Sequence, residues 1–272
     1  MGEKILSVSI AAYNVASTLE EALIPFTDEK IRDSVDVMIV DDGSKDDTLE
    51  QALKIQQKDY RAKVVKLSRN FGEFRAIVAG MSKATGDAVV VISADLQDPP
   101  ELIPEMIESW KKGNLVNLAV RKGREESKLK NFFADTYYKL VRKWVEPNYP
   151  KRGFDFFLID KRVADELVEM QEKNSSIYLQ LIWLGYTPTE IEYTRREREK
   201  GKSMWTYSKR INLFIDTFVV FSHKPIRFIS GSGFFLSLSG LVFAIYFLID
   251  KCTNDILPGW TSLMVAMLLL SG

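Results

Sequence analysis

Residues 228–249, FISGSGFFLSLSGLVFAIYFLI, run for 22 positions without a charge. A helix crosses the hydrocarbon core of a bilayer with about 20 apolar residues, so this run fits a transmembrane helix better than the core helix of a soluble domain. A second apolar run, Trp260–Gly272, offers 13 residues, and residues 258–272 are expected to be the start of a second transmembrane helix within which the chain ends. Lys209, Arg210, Lys224 and Arg227 precede the first run, whereas the following DKCTNDILPG has Lys251 as its one basic residue. That asymmetry predicts a multi-pass protein of the inner (cytoplasmic) membrane whose large N-terminal part faces the cytoplasm. The opening MGEKILSVSIAAYN lacks a signal-peptide pattern, and Leu6 stands where myristoylation wants Ser or Thr. Gly233/Ser237 and Gly240/Ala244 have small-xxx-small spacing, which permits a homo-oligomer through the membrane helices.

Upstream of that anchor the chain alternates between two periodicities. ILSVSIAAYN, VDVMIVDDGS, AKVVKLSRNFG, DAVVVISADLQ and LVNLAVRKG are apolar runs that end in polar residues. Between them ASTLEEALIPF (with Ser17 or Thr18 as cap), DDTLEQALKIQQKD and EFRAIVAGMSKA read as helices. Near-continuous apolar strands joined by helices predict an α/β domain, a mostly parallel sheet with helices on both faces. In such a sheet the ligand sits outside the carboxyl ends of the strands, where AAYN, DDGS, SRNFG and SADLQ all fall. Lys and Arg total 37 against 37 Asp and Glu, so no overall field favours a nucleic-acid partner. The single Cys252 excludes an internal disulfide and a cysteine metal cage.

Residues 121–152 turn basic and aromatic. Phe133, Tyr137, Leu140, Val141 and Trp144 fall at helical spacing, with Lys139, Arg142 and Lys143 elsewhere around the helix. The helix either packs on the domain with a solvated face or lies on anionic headgroups, and both readings are compatible. RINLFIDTFVVF repeats the pattern, with Ile211, Phe214, Ile215, Phe218 and Phe221 on one face and Pro225 behind it. The domain plan is therefore a cytosolic unit over 1–205, amphipathic juxtamembrane helices over 206–227, and the spans at 228–249 and 258–272. His223 at the junction reads as structural.

Neither G-x-x-x-x-G-K-[ST] nor G-x-G-x-x-G after the first strand is present, which removes the main support for P-loop hydrolysis and hydride transfer. A divalent ion can instead bridge acidic loops to a diphosphate, since Mg²⁺ takes one or two carboxylates plus phosphate oxygens. In SADLQDPPE, Asp98 and Glu101 have capping-box spacing with Pro99 at the first helical turn. Asp95 and Gln97 lie before that cap and can point at one ion.

The set SIAAYN, VDDGSKDDT, SRNFG, TGDAVVVISADLQDPPE, GFDFFLIDKRV and RREREKGKSMW resembles the family-2 glycosyltransferases of GT-A fold. The nearer resemblance is to those acting on polyprenyl phosphates, namely dolichol-phosphate mannose synthases and bactoprenol glucosyltransferases. It covers nearly the whole chain and implies a Rossmann-like catalytic domain followed by interface and transmembrane helices. The implied partners are a nucleotide diphosphate sugar, a polyprenyl phosphate and the membrane, and the implied cofactor is Mg²⁺ or Mn²⁺ held by Asp95 and Gln97. Ala11, Tyr13 and Asn14, with Asp41 or Asp42, would contact base and ribose, and Arg69, Asn70 and Gly72 would shape the pocket beside them. Arg121 would meet the lipid phosphate, with Lys128 or Lys130 as a second contact. Arg198, Lys202 and Ser203 would close over the diphosphate.

Two departures stand out: Ser93 replaces an Asp of many relatives, and Phe157 an Arg. Asp155 would orient acceptor or sugar, or else merely cap or pair with Arg152. The implied reaction is inverting hexose transfer, from UDP-glucose first and from UDP-N-acetylglucosamine or GDP-mannose next. A processive polysaccharide synthase fits less well, because Ile182 precedes Trp183 where its motif has Arg. The non-enzymatic rival is a membrane-tethered nucleotide-sugar-binding subunit.

Overall fold

Five apolar runs become strands at the expected places: β1 (Leu6–Ala12), β2 (Val35–Asp41), β3 (Ala62–Lys66), β4 (Ala88–Ser93) and β5 (Val116–Arg121). Two more follow, β6 (Phe154–Asp160) and β7 (Pro188–Tyr193). The computed structural model describes residues 6–26, 34–59, 61–122, 128–170, 176–194, 215–222 and 224–253, with Gly259, Leu263, Ala266 and Met267 beyond. One seven-stranded sheet runs in the order β3-β2-β1-β4-β6-β5-β7. β1 pairs in parallel with β2 and β4, β2 with β3, and β5 with β7. The sheet is thus mostly parallel, as expected, but β6 enters between β4 and β5 and is antiparallel to both. An apolar run such as FDFFLI carries no mark of strand direction, and its partners lie far away in sequence.

The helices are α1 (Leu19–Leu23), α2 (Thr48–Lys58), α3 (Glu73–Met81), α4 (Ile103–Lys111), α5 (Lys128–Trp144), α6 (Lys161–Glu169) and α7 (Ile177–Trp183). Helical residues 215–221 form α8, and Lys224–Thr253 form α9. Alternate residues of each strand face opposite sides. Leu6, Val8, Ile10, Val37, Ile39, Val90 and Leu158 pack in one cluster with Leu19 and Leu23 of α1, Ala52 of α2 and Met106 of α4. Helix α3 covers the other face, where Gly80 sits against Ser9 and Val40. A methyl group on Gly80 would overlap Ser9 Oγ and stand 3.1 Å from Val40 Cγ2. Gly80→Ala is therefore expected to destabilise the chain by about 1–3 kcal/mol, read as a lower Tm in detergent.

The sheet's other end is tied by a buried carboxylate. Asp36 accepts from Ser7 Oγ, from Thr85 Oγ1 at 2.7 Å and from Lys63 Nζ at 3.4 Å, and Ser7 Oγ accepts the Thr85 and Gly86 N–H groups at 3.0 and 2.8 Å. The network joins β1, β2, β3 and the turn into β4. A buried charge kept this way is paired and hydrogen-bonded, which is the condition for its stability.

The chain divides into two compact units, Met1–Thr217 and Phe218–Gly272. The first runs past the boundary at 205 read from the sequence. In the second, Ile226–Tyr246 within α9 is the one stretch among the described residues long and apolar enough to cross a membrane. Most of residues 258–272, and also Ile211, Phe214 and His223, lie outside the described residues.

On α5 Val141 is buried, while Trp144, the helix's last residue, is 42% exposed. On α8, Phe218 is buried and Phe221 half-buried, while Ile215 of the same face is exposed. The N-cap of the 3-10 turn Pro100–Leu102 that leads into α4 is Pro99 and not Asp98. Asp98 is instead buried and accepts from Tyr193 Oη at 3.3 Å, a contact spanning 95 positions.

Candidate active site

The chain leaves β1 for β2 on one side and returns to β4 on the other, so the order reverses at β1. A crevice opens at such a point outside the carboxyl ends of the strands. Three loops there are stitched into one surface. Asp42 N donates to the Ala12 carbonyl (2.9 Å), and its two carboxylate oxygens accept the N–H groups of Phe71 (2.7 Å) and Gly72 (2.9 Å). Asp41 accepts the Ser44 N–H at 3.1 Å through Oδ1. Both carboxylates are buried, Asp42 to 2% exposure. Asp41 and Asp42 therefore build the second loop and hold the third to it.

Asn14 has φ +53, a left-handed conformation that Asn tolerates. Its N–H donates to Ser44 Oγ (3.1 Å) and its Oδ1 accepts the Lys45 N–H (2.9 Å), tying the first loop to the second. Gly43, at φ +70, leaves no room for a side chain: a Cβ would stand 2.7 Å from the Arg69 carbonyl carbon and 2.8 Å from Asn70 N. Asp46 completes the joint, accepting from Thr48 Oγ1 (2.5 Å), Thr48 N (3.1 Å) and Ala16 N (3.3 Å). Burial pushes the Asp46 carboxyl up, but the hydrogen bonds from Thr48 and Ala16 outweigh it and hold it below the usual range.

A depressed carboxyl stabilises the fold above its unfolded value and loses that contribution as pH falls through the folded one. The Tm gap between the native chain and Asp46→Asn is accordingly expected to be full above about pH 5 and to close below about pH 4. A gap that stays constant down to acid pH would contradict this role.

The third loop contains a residue that the sequence reading passed over. Phe71 is 45% exposed, and the Arg69 guanidinium lies over its ring at 4.6 Å. An aromatic after Arg-Asn reads from sequence as core, and only its exposure in the structure distinguishes it. Ala11 and Tyr13 are half-buried at the end of β1, and Asn70 is exposed beside Phe71.

The fourth loop holds the proposed ligands. The Asp95 N–H donates to Ser93 Oγ at 3.3 Å and Asp95 Oδ1 accepts the Gln97 N–H at 3.2 Å. Between them Leu96 has φ +61, a strained conformation for a leucine. Asp95 and Gln97 are half-buried, whereas Asp98 is buried behind them. No cluster of three His, Cys, Asp or Glu side chains able to hold a metal occurs among the described residues. One carboxylate and one amide suit an ion that takes its other ligands from phosphate and water, as Mg²⁺ does.

Asp155 reaches the same edge from β6. The last β4–β6 pair is Val91 with Phe157, and continuing this register sets Asp155 opposite Ser93. On the β5 side Ala119 pairs with Phe156 and Val120 with Phe154, so Asp155 is the inserted residue of a bulge. Arg152 donates to the Lys122 carbonyl. Arg121 ends β5, half-buried and in register with Tyr193 of β7. The backbone sets Lys128 and Lys130 in the first turn of α5. Arg198, Lys202 and Ser203 lie outside the described residues.

Comparison with known proteins bears on the family and the fold. The model of "Glycosyl transferase family 2" matches residues 7–168. A glycosyltransferase of Bacillus subtilis (strain 168), YkcC, is 38% identical over 98% of this chain and 84% of its own length. The bactoprenol glucosyl transferase of Shigella phage SfV is 32% identical over 93% of this chain and 85% of its own. Among solved structures, a Pyrobaculum calidifontis mannosyltransferase in complex with GDP-Man and Mn²⁺ superposes with a TM-score of 0.56 at 18% identity, over 83% of this chain and 65% of that one. Glucosyl-3-phosphoglycerate synthase from Mycobacterium tuberculosis in complex with UDP gives 0.59 at 17% identity, over 79% of both chains.

Proposed function

Because the chain belongs to glycosyl transferase family 2, we propose that it moves a hexose from a nucleotide diphosphate sugar to a membrane polyprenyl phosphate, with inversion at the anomeric carbon. The observation that carries the reading is the convergence of Asp95, Gln97, Asp155 and Arg121 on one sheet edge beside the loops built by Asp41 and Asp42. UDP-glucose and undecaprenyl phosphate are the favoured pair, since the bactoprenol glucosyl transferases are similar over nearly the whole chain. UDP-N-acetylglucosamine and GDP-mannose come next. The apolar stretch of α9 supports attachment to the cytoplasmic membrane with the sheet domain on the cytoplasmic side, and residues 258–272 would add a second span.

Asp95 and Gln97 would hold Mg²⁺ or Mn²⁺, which when bound offsets the charge of the diphosphate leaving group. Tyr13, Asn14 and Ala11 would line the base and ribose, with Arg69, Asn70, Gly72 and the exposed ring of Phe71 beside them. The acceptor phosphate has a second pKa of about 6, so near neutrality it is largely dianionic and needs little help from a base. Its obstacle is approach to another anion. Arg121, aided by Lys128 or Lys130 and by Arg198, Lys202 and Ser203, would neutralise that repulsion. Asp155 would orient the acceptor or the sugar.

The test is a two-phase assay with labelled nucleotide sugars, Mn²⁺ and undecaprenyl phosphate. Chloroform-soluble label from UDP-glucose, abolished by EDTA, is expected. Binding of nucleotide sugar with no lipid-soluble label from any sugar would instead support a non-catalytic binding subunit.

A further inference from the structure

The bulge that sets Asp155 at the sheet edge is held from outside the sheet. Gly153, two residues before it, has φ +70, and a Cβ there would stand 2.7 Å from Tyr138 Cζ and 2.9 Å from Cε1. The ring of Tyr138 on α5 therefore lies directly on the backbone of this turn. Tyr138 also stacks on Tyr149 (5.9 Å, 16°), and Tyr149 meets Phe154 at 5.9 Å. Phe154 and Phe157 in turn abut Tyr178 of α7 edge-on, at 5.1 and 6.0 Å. Gly153 N donates to the Pro150 carbonyl at 3.2 Å, closing the turn between α5 and β6. Asp155 is thus flanked by Phe154 and Phe156, and Phe154 sits in the aromatic stack that begins at Tyr138.

We propose that Tyr138 is a positioning residue for the reaction: its ring clamps the Gly153 turn and through it fixes the bulge that carries Asp155. This rests on the reading of Asp155 as the residue that orients acceptor or sugar. The clamp acts on chemistry and not on nucleotide capture, because the loops after β1, β2 and β3 are tied to each other by the hydrogen bonds of Asn14, Asp42 and Asp46.

The experiment measures kcat and the KM for UDP-glucose in Tyr138→Ala, Tyr138→Phe, Gly153→Ala and Asp155→Asn, in full-length chain in detergent with undecaprenyl phosphate. A misplaced reacting group costs up to about 100-fold, so Tyr138→Ala and Gly153→Ala are each expected to lower kcat by about 10–100-fold with the UDP-glucose KM within about twofold. Tyr138→Phe, which keeps the ring, is expected to retain kcat. Native kcat in Tyr138→Ala alongside an inactive Asp155→Asn would overturn the clamp and leave the role of Asp155 standing. Native kcat in Asp155→Asn would overturn that role and the clamp with it. Loss of kcat in Tyr138→Phe equal to that in Tyr138→Ala, or a matching rise in KM in both clamp variants, would also overturn the clamp. Where Tyr138→Ala fails to fold, Tyr138→Leu, which also removes the ring, decides by the same kcat and KM criteria.

Discussion

Asp95→Asn is expected to lower kcat by about 10²–10³-fold, the scale set by losing a fixed charge where transition-state charge is balanced. The expectation is large because the acidic set is thin. Ser93 stands where a second carboxylate would share the load, and its hydroxyl accepts the Asp95 N–H. Asp95 is only half-buried and its Oδ1 organises the turn by accepting the Gln97 N–H, which an Asn Oδ1 can also accept. The fold and its Tm should therefore survive, and the loss should appear in turnover and in a raised Mn²⁺ requirement. Near-native turnover with unchanged Mn²⁺ dependence would refute the ligand role of Asp95.

The second large effect concerns stability. Asp42→Ala leaves the N–H groups of Phe71 and Gly72 without the carboxylate that accepts both, at a site 2% exposed. An unsatisfied buried donor costs about 1–3 kcal/mol, so a loss of about 2–5 kcal/mol is expected, measured as a fall in Tm in detergent. Asp42→Asn keeps one acceptor oxygen and should fall between. The same change frees the third loop, so the KM for nucleotide sugar should rise together with the drop in Tm. A stable Asp42→Ala variant with native KM would mean that the stitch between the second and third loops is dispensable.

The strand ends that border the candidate site are legible in the sequence. Strand ends were evident at Ala12, Asp41, Lys66 and Ser93, because an apolar run that breaks into Asn, Asp or Ser marks both the end of a strand and its exposed loop. Asp95 and Gln97 stand out by their place just beyond β4, and their ligand role is what the family resemblance implies. What escaped depended on contacts between distant residues. The insertion of β6 between β4 and β5 is a matter of pairing, which FDFFLI shares with any buried strand. Asp98 looked like a helix cap because its spacing to Glu101 is local, while its partner Tyr193 is 95 positions away. Asp41 or Asp42 is expected to meet the nucleoside, and in the structure both also accept backbone N–H groups, of Ser44 and of Phe71 and Gly72, a use no spacing rule announces.

The structure of the lipid product tests the central claim most directly. With UDP-glucose, Mn²⁺ and undecaprenyl phosphate, phosphorus and proton NMR of the chloroform-soluble product are expected to show one phosphorus atom per sugar, as a phosphodiester. The anomeric configuration should be opposite to that of the donor. A diphosphate linkage, meaning transfer of sugar phosphate and not of sugar, or a retained anomeric configuration would contradict direct displacement by the acceptor phosphate at this site.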